Sequence, residues 1–167
     1  DIQKITEIVL EKIEKYLKID MKKYKLTNKI SKMINSFQKK QNISYLSEDR
    51  YLNEQLRKNK KLFLQKPFCP DSLVFCGVSA VVLKNLTDFG SLRKYIKKHS
   101  QLPKVIIYNK HLFFIAMNIK KAKDAEEVMK FHIMVLLQSM GENINFLKLD
   151  ELSYLSNWEA EKFRQKI

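Results

Sequence analysis

A chain of 167 residues, 45% of them apolar, is long enough to bury a core without disulfides, and its length predicts one domain spanning 1–167. No window approaches the roughly 18 consecutive apolar residues of a membrane span, so no membrane partner is expected. The formal charge is +14, but all except four of the 32 basic residues are lysines, and they are spread along the chain. This disfavours nucleic acid as a partner, because Arg suits base and phosphate recognition better.

The chain begins at Asp1 rather than Met, which predicts a fragment of a longer chain whose other residues could complete a site. The first residues show no signal-peptide pattern. Cys69 and Cys76 fit no zinc or redox spacing, and we expect both thiols to be reduced. Without a signal peptide or a disulfide framework, the expected location is the cytoplasm.

The N-terminal third, 1–62, predicts a helical segment. Residues 2–18 place apolar side chains on one stripe of a helix. Residues 28–40 predict a second helix with Thr27 as its N-cap. A third helix is expected to start after Ser47, with acidic residues in its first turn. The apolar stripe of the first helix consists of Ile2, Ile5, Val9, Ile13 and Tyr16.

Residues 63–167 predict an α/β unit. Short apolar runs indicate strands, and a gap of three residues between two of them predicts an antiparallel hairpin. The strands are expected at 73–76, 80–83, 105–108 and 112–117, and the helices at 88–99, 121–140 and 150–167 with Asp150 as a cap. The S-x-x-E pattern at 156–159 indicates that a further helix begins there. The fold class is therefore α/β, with a small mixed sheet covered by helices.

The helix at 121–140 is apolar nearly all round, which predicts burial in the core or against a partner. His132 lies on its core face, where a buried, hydrogen-bonded histidine is the favoured interpretation. Glu126 and Glu127 have the pattern of an ordinary helix surface. His99, His111 and His132 show no metal-ligand spacing, so no metal ligand and no catalytic residue is assigned.

The hairpin tip gathers an amide, an ammonium group and an imidazole at Asn109, Lys110 and His111. Two interpretations are open. Lys supplies a point charge that could bind the phosphate or carboxylate of a substrate. Alternatively, the tip is a polar β-turn, since Asn tolerates positive φ and turns face water.

Three segments, considered together, resemble the class II aldolase/adducin family. Residues 67–75, PFCPDSLVF, resemble a proline–aspartate segment that leads into a strand. Residues 103–116, PKVIIYNKHLFFIA, resemble the family's hairpin, in which a strand, Asn-His-Gly and a second strand precede a helix rich in Ala and Glu. Residues 157–164, NWEAEKFR, resemble the tail of larger bacterial members, in which a complete aldolase-type domain precedes a diverged copy. The resemblance covers about residues 67–167.

The resemblance implies a class II aldolase-like fold but not the family's chemistry. Family members hold zinc with three histidines, two from an H-x-H segment and one from Asn-His-Gly, and the metal stabilises an enediolate. Here Asn109 matches the Asn, but Lys110 stands at the His position and His111 at the Gly position. The chain also lacks H-x-H and the family's Gly-Asn phosphate loop. We therefore expect no cofactor in this chain, with zinc belonging to the resembled family alone.

Three functional hypotheses follow. The first is a non-metal C-terminal domain, inactive alone, with a structural, assembly or substrate-covering role in a larger class II aldolase-type lyase of carbohydrate metabolism. Its partners would be the N-terminal aldolase-like domain and further copies in a homo-oligomer. The second is an enzyme portion that binds a phosphorylated sugar through Lys110 and His111. The third is a module for an anionic partner or nucleic acid, motivated by the net charge.

Overall fold

The computed structural model describes residues 2–17, 22–38, 41–139 and 144–157. Helices and strands are mixed along these ranges after a helical start. In chain order they are α1 (Ile2–Leu17), α2 (Lys22–Asn35), β1 (Ile43–Leu46), α3 (Arg50–Lys58), a 3₁₀ helix (Lys60–Leu64), α4 (Pro70–Cys76), β2 (Val81–Val82), α5 (Phe89–His99), β3 (Val105–Tyr108), β4 (His111–Ala116), α6 (Ile119–Gln138) and α7 (Leu149–Asn157).

The strands form one mixed sheet in the order β1-β4-β3-β2. β3 and β4 are the antiparallel hairpin that the sequence predicts, with Val105 opposite Phe114. β1 pairs antiparallel with the free side of β4, and β2 pairs parallel with β3. The predicted α/β architecture, a small mixed sheet flanked by helices, is therefore confirmed.

Helices cover both faces of the sheet because the central hairpin is apolar on both faces. Successive side chains of a strand point to opposite faces. Val105, Ile107, Leu112 and Phe114 pack in one core cluster with residues of α3, α4 and α6. The alternate residues, Ile106, Phe113 and Ile115, pack in a second cluster with residues of α2 and α5. The sheet is thus the middle layer of three.

Residues 73–76 form the end of α4, so the strand predicted there is wrong. Pro70 opens this helix, where its missing N–H is not needed, and Asp71 follows in the first turn. Gly77, at φ 76°, ends the helix, and its N–H donates to the carbonyl of Leu73 at 2.9 Å. A four-residue apolar run cannot distinguish a strand from a buried helix, and packing against α6 decides the outcome.

The N-terminal third also differs from its prediction. α2 begins at Lys22, so Thr27 is an interior residue rather than an N-cap, and its hydroxyl donates to the carbonyl of Tyr24 at 2.7 Å. The helix ends at Asn35, and β1 follows within the segment predicted to be helical. β1 is stable as a strand because β4 supplies its hydrogen-bonding partner, with Ile43 opposite Ala116.

Two helix starts were predicted from acidic residues. The start of α3 after Ser47 is confirmed, but the helix begins at Arg50, so Glu48 and Asp49 precede its first turn and their predicted place within that turn is wrong. Asp49 is the N-cap and accepts a 2.8 Å hydrogen bond from the N–H of Leu52. α7 begins at Leu149, so Asp150 lies in the first turn and the cap predicted there is wrong. The capping pattern at 156–159 and the tail motif at 157–164 extend outside the described residues.

The helix α1 presents its apolar stripe to solvent. Ile2, Ile5, Val9, Ile13 and Tyr16 are all exposed, as is Ile8 beside them. The charged residues Lys4, Glu7, Glu11 and Lys15 lie on the opposite side of the helix. Within the described part of the chain, no helix combines the length and hydropathy needed to cross a bilayer.

Candidate functional site

The hairpin tip places Asn109 and Lys110 in a two-residue turn. Their φ angles, 47° and 65°, match the left-handed pair of a type I′ hairpin turn. Both side chains are exposed. His111 is the first residue of β4, opposite Tyr108, so the loop is one residue shorter than predicted. The half-buried imidazole of His111 meets the ring of Phe113 edge-on, with centroids 6.4 Å apart.

The three histidines of the chain lie on three different elements, α5, β4 and α6. All His and Cys residues fall within the described ranges, and there no group of three or more His, Cys, Asp or Glu side chains is placed to hold a metal ion. The zinc site of the class II aldolase family needs three histidines converging on one point. The residues present do not fit that group.

His132 is a buried core histidine, as the sequence predicts. Its side chain is 4% exposed, stacks on Phe68 at a centroid distance of 4.8 Å, and shares a 3.1 Å hydrogen bond between Nδ1 and the Oγ of Ser72. Ser72 in turn lies 3.2 Å from the Sγ of Cys69. Burial lowers the pKa of His132 to about 4. The imidazole is therefore neutral over the ordinary range of pH.

Cys69, Ser72 and His132 are residue types that can form a nucleophile and its base, but their surroundings do not suit that role. The adjoining cavity has a volume of about 10 Å³, room for no more than one water molecule. Ser72 is 1% exposed, and a substrate has no access to it. The three side chains therefore join α4 to α6 rather than form a reaction site.

A second polar cluster lies where β1, α3 and α6 meet. The hydroxyl of Tyr45 donates to Oε2 of Glu126 at 3.3 Å, and Lys130 forms a 2.8 Å ion pair with Asp49. Burial and the negative charge of Glu126 raise the pKa of Tyr45. Burial alone would raise the pKa of Asp49, but the bonds from Lys130 and from the N–H of Leu52 outweigh it, and the pKa is lowered.

Glu126 corrects the interpretation of the Glu126–Glu127 pair as helix surface. Its side chain is 8% exposed, and its Oε1 has no hydrogen-bond partner among the described residues. The periodicity of α6 placed this position next to the core stripe, but only the approach of β1 brings Tyr45 to it. Tyr45, Asp49, Glu126 and Lys130 do not line the small cavity beside His132 or the larger cavity at the open end of the hairpin.

A cavity of about 540 Å³ lies at the open end of the hairpin, opposite the tip. Its lining residues come from the connection into β3, the end of β4, the start of α6 and the end of α4, together with Gln38 and Asn42. Its polar lining consists of Gln38, Asn42, Gln101, Lys104, Lys120, Lys121 and Asp124. The sequence did not indicate this cavity, because residues that are distant in the sequence form it and each lies in an unremarkable local pattern.

No protein-family model and no curated protein matches this chain. Among solved structures, its fold is similar to that of YgbL from Klebsiella pneumoniae, described as a candidate aldolase/epimerase/decarboxylase. The TM-score is 0.50 at 12% identity, over 75% of this chain and 62% of YgbL. YgbL from Escherichia coli, described in the same words, gives a TM-score of 0.39 at 14% identity, over 54% of this chain and 44% of that protein, and we base no argument on it.

The likeness to Klebsiella pneumoniae YgbL concerns the fold. It confirms that this chain has the aldolase-like α/β fold that its hairpin motif implies. This chain spans less than two thirds of the length of that protein. At 12% identity, the likeness does not extend to activity.

The buried His132 predicts a loss of stability in mild acid. The unfolded histidine titrates near its ordinary value of 6.5, and the folded one near 4. Between these values the unfolded chain binds more protons, so stability is complete above pH 6.5 and falls as the pH drops toward 4. The expected loss is up to about 3 kcal/mol, since one pKa unit corresponds to 1.36 kcal/mol.

Urea unfolding of the parent and of His132→Gln at pH 7, 6 and 5 measures how the free energy of unfolding changes with pH. The variant should show a distinctly smaller fall in unfolding free energy between pH 7 and pH 5. The comparison variant is His99→Gln, which removes a half-buried histidine and should keep most of the parent's slope. Equal slopes for the parent and His132→Gln would contradict the assignment.

Proposed function

We propose that this chain is an aldolase-like domain without a metal centre of its own, which serves a larger class II aldolase-like protein by supporting its assembly or covering its substrate. The separation of the three histidines on α5, β4 and α6 carries this proposal. An aldolase-like fold that cannot assemble the family's ligand set has lost the means for the family's chemistry. The hairpin turn and the exposed apolar stripe of α1 favour a supporting role.

The residue at the tip of the hairpin, Lys110, also supports the proposal that this chain holds no metal. Lys110 stands where the resembled family has its third histidine, and the turn holds it in solvent. An ammonium group carries no lone pair to donate, and a metal ligand must be deprotonated. His111 beside it supplies at most one donor, whereas structural and catalytic zinc sites use three or four protein ligands.

The exposed stripe of α1 supports the assembly role. A single amphipathic helix of this length is marginally stable in water unless its apolar face is covered. Ile2 and Tyr16 are 85% and 81% exposed, so the described chain leaves both ends of the stripe uncovered. A neighbouring domain or a second copy of the chain would bury this stripe and stabilise the helix.

The proposal predicts no stoichiometric zinc. After equilibration with excess zinc and removal of unbound ions, elemental analysis should find well below one zinc per untagged chain. His111→Ala should leave that value unchanged. A content near one zinc per chain that falls in the His111→Ala variant would reverse the conclusion.

The assembly role predicts that α1 controls the oligomeric state. Sedimentation equilibrium of the 19.9 kDa chain should give a mass above the monomer's. The double variant Ile5→Gln and Val9→Gln should shift it toward the monomer, because it removes apolar area from the contact. Lys4→Gln with Lys15→Gln, which places the same residues on the polar side of α1, should not. A parent chain that stays monomeric at high concentration would reject this role for α1.

A second candidate function is anion binding at the hairpin tip. The observation favouring it is the type I′ turn, which presents Asn109 and Lys110 together at an exposed and conformationally restricted point. The phosphate of a sugar substrate bound in a neighbouring domain could be covered by such a turn. This function is compatible with the absence of ligands for a metal in the described residues.

Titration of the isotopically labelled chain with inorganic phosphate tests this function by amide chemical shifts at 109–111. Lys110→Ala should weaken the binding followed there by about two- to fivefold, the range of an exposed ion pair. Lys97→Ala, an exposed lysine on α5, is the matched control and should have no effect. Unchanged affinity in Lys110→Ala, or no shifts at the tip in the parent, would exclude the tip as an anion site.

A further inference from the structure

We infer that the 540 Å³ cavity at the open end of the β3–β4 hairpin is a binding site for a small organic anion, with a phosphate, sulfonate or carboxylate at one end and an apolar body. This site is separate from the hairpin tip. The four residues of β3 lie between the two, which corresponds to about 13 Å at the rise of a strand.

The charge of the lining favours an anion. Three lysines, Lys104, Lys120 and Lys121, line the cavity against one carboxylate, Asp124. Lys120 and Lys121 stand in the first turn of α6, where the helix dipole adds positive potential. Basic residues at this end of a helix are unfavourable for the helix itself, and an anion bound beside them would relieve that repulsion.

The walls of the cavity are held in place by hydrogen bonds. The side chain of Asn35 exchanges two, of 2.8 and 2.9 Å, with the backbone of Asn42, which lines the cavity. The ammonium of Lys104 donates to the carbonyl of Val74 at the end of α4. The N–H of Ile115 donates to the carbonyl of Lys104 at 2.8 Å, which fixes the open end of the hairpin. Binding would therefore cost little ordering of the backbone.

The remaining lining specifies an organic ligand rather than a free inorganic ion. Phe75, Leu102, Pro103, Ile115 and Met117 form apolar walls. The volume lies within the roughly 300–1,000 Å³ typical of small-molecule sites. An inorganic phosphate would offset the positive charge of the lysines but leave these walls in contact with water, whereas an apolar body would cover them.

The probe for this site is anilinonaphthalene sulfonate, an anion with an aromatic body, titrated by fluorescence. The parent should bind one equivalent more tightly than it binds N-phenylnaphthylamine, the uncharged analogue. Lys120→Gln with Lys121→Gln should weaken sulfonate binding by about five- to tenfold and abolish the preference for the anion, since hydrogen bonds to charged groups are among the stronger ones.

The matched control is Lys60→Gln with Lys61→Gln, which removes the same charge from two adjacent, exposed positions of the 3₁₀ helix outside the cavity. It should retain the parent's affinity within about twofold, because exposed charges are screened by salt over roughly 10 Å. Amide shifts caused by the probe should cluster at 115–125. Shifts confined to α1, equal weakening in both double variants, or no saturable binding by the parent would overturn the inference.

Discussion

The structure depends on a hairpin that is buried on both faces. Six residues of β3 and β4, namely Val105, Ile106, Ile107, Leu112, Phe113 and Phe114, are at most 2% exposed. Each buried aliphatic or aromatic side chain contributes about 1.5–3 kcal/mol relative to exposure. Because their side chains alternate between faces, the hairpin needs a helical layer on each side. The helices α2 and α5 form one layer, and α3, α4 and α6 form the other.

A hairpin of this kind restricts where polar chemistry can occur. The six buried residues at its centre offer no polar side chain to either face, and the polar Tyr108 and His111 lie beside the turn, so contacts with polar ligands are favoured at its two ends. One end is the exposed turn of Asn109 and Lys110, and the other opens into the cavity beside Lys120 and Lys121. His132 and Ser72 lie in the adjoining layer, where burial keeps the imidazole neutral and closed to substrate.

Local patterns predicted the hairpin, α3, α5 and α6 because each is decided by interactions close in sequence. Asp49 caps α3 through the N–H of Leu52, and the spacing of apolar residues in α6 marks its core face. The failures share a different cause. Residues 73–76 are apolar enough for either a strand or a helix, and β1 is a strand because β4 offers a partner. The burial of Glu126 likewise requires Tyr45, which is distant in the sequence.

The sequence by itself determined the class of fold, the two-stranded hairpin at its centre and the core position of His132. These follow from composition, periodicity and the identity of single residues. Only the tertiary structure decided that α4 is a helix, that β1 joins the sheet, and that Gln38, Lys104 and Lys120 line one cavity. The physical reason is that burial and strand pairing act between segments far apart in the chain, and no local pattern encodes which of them meet.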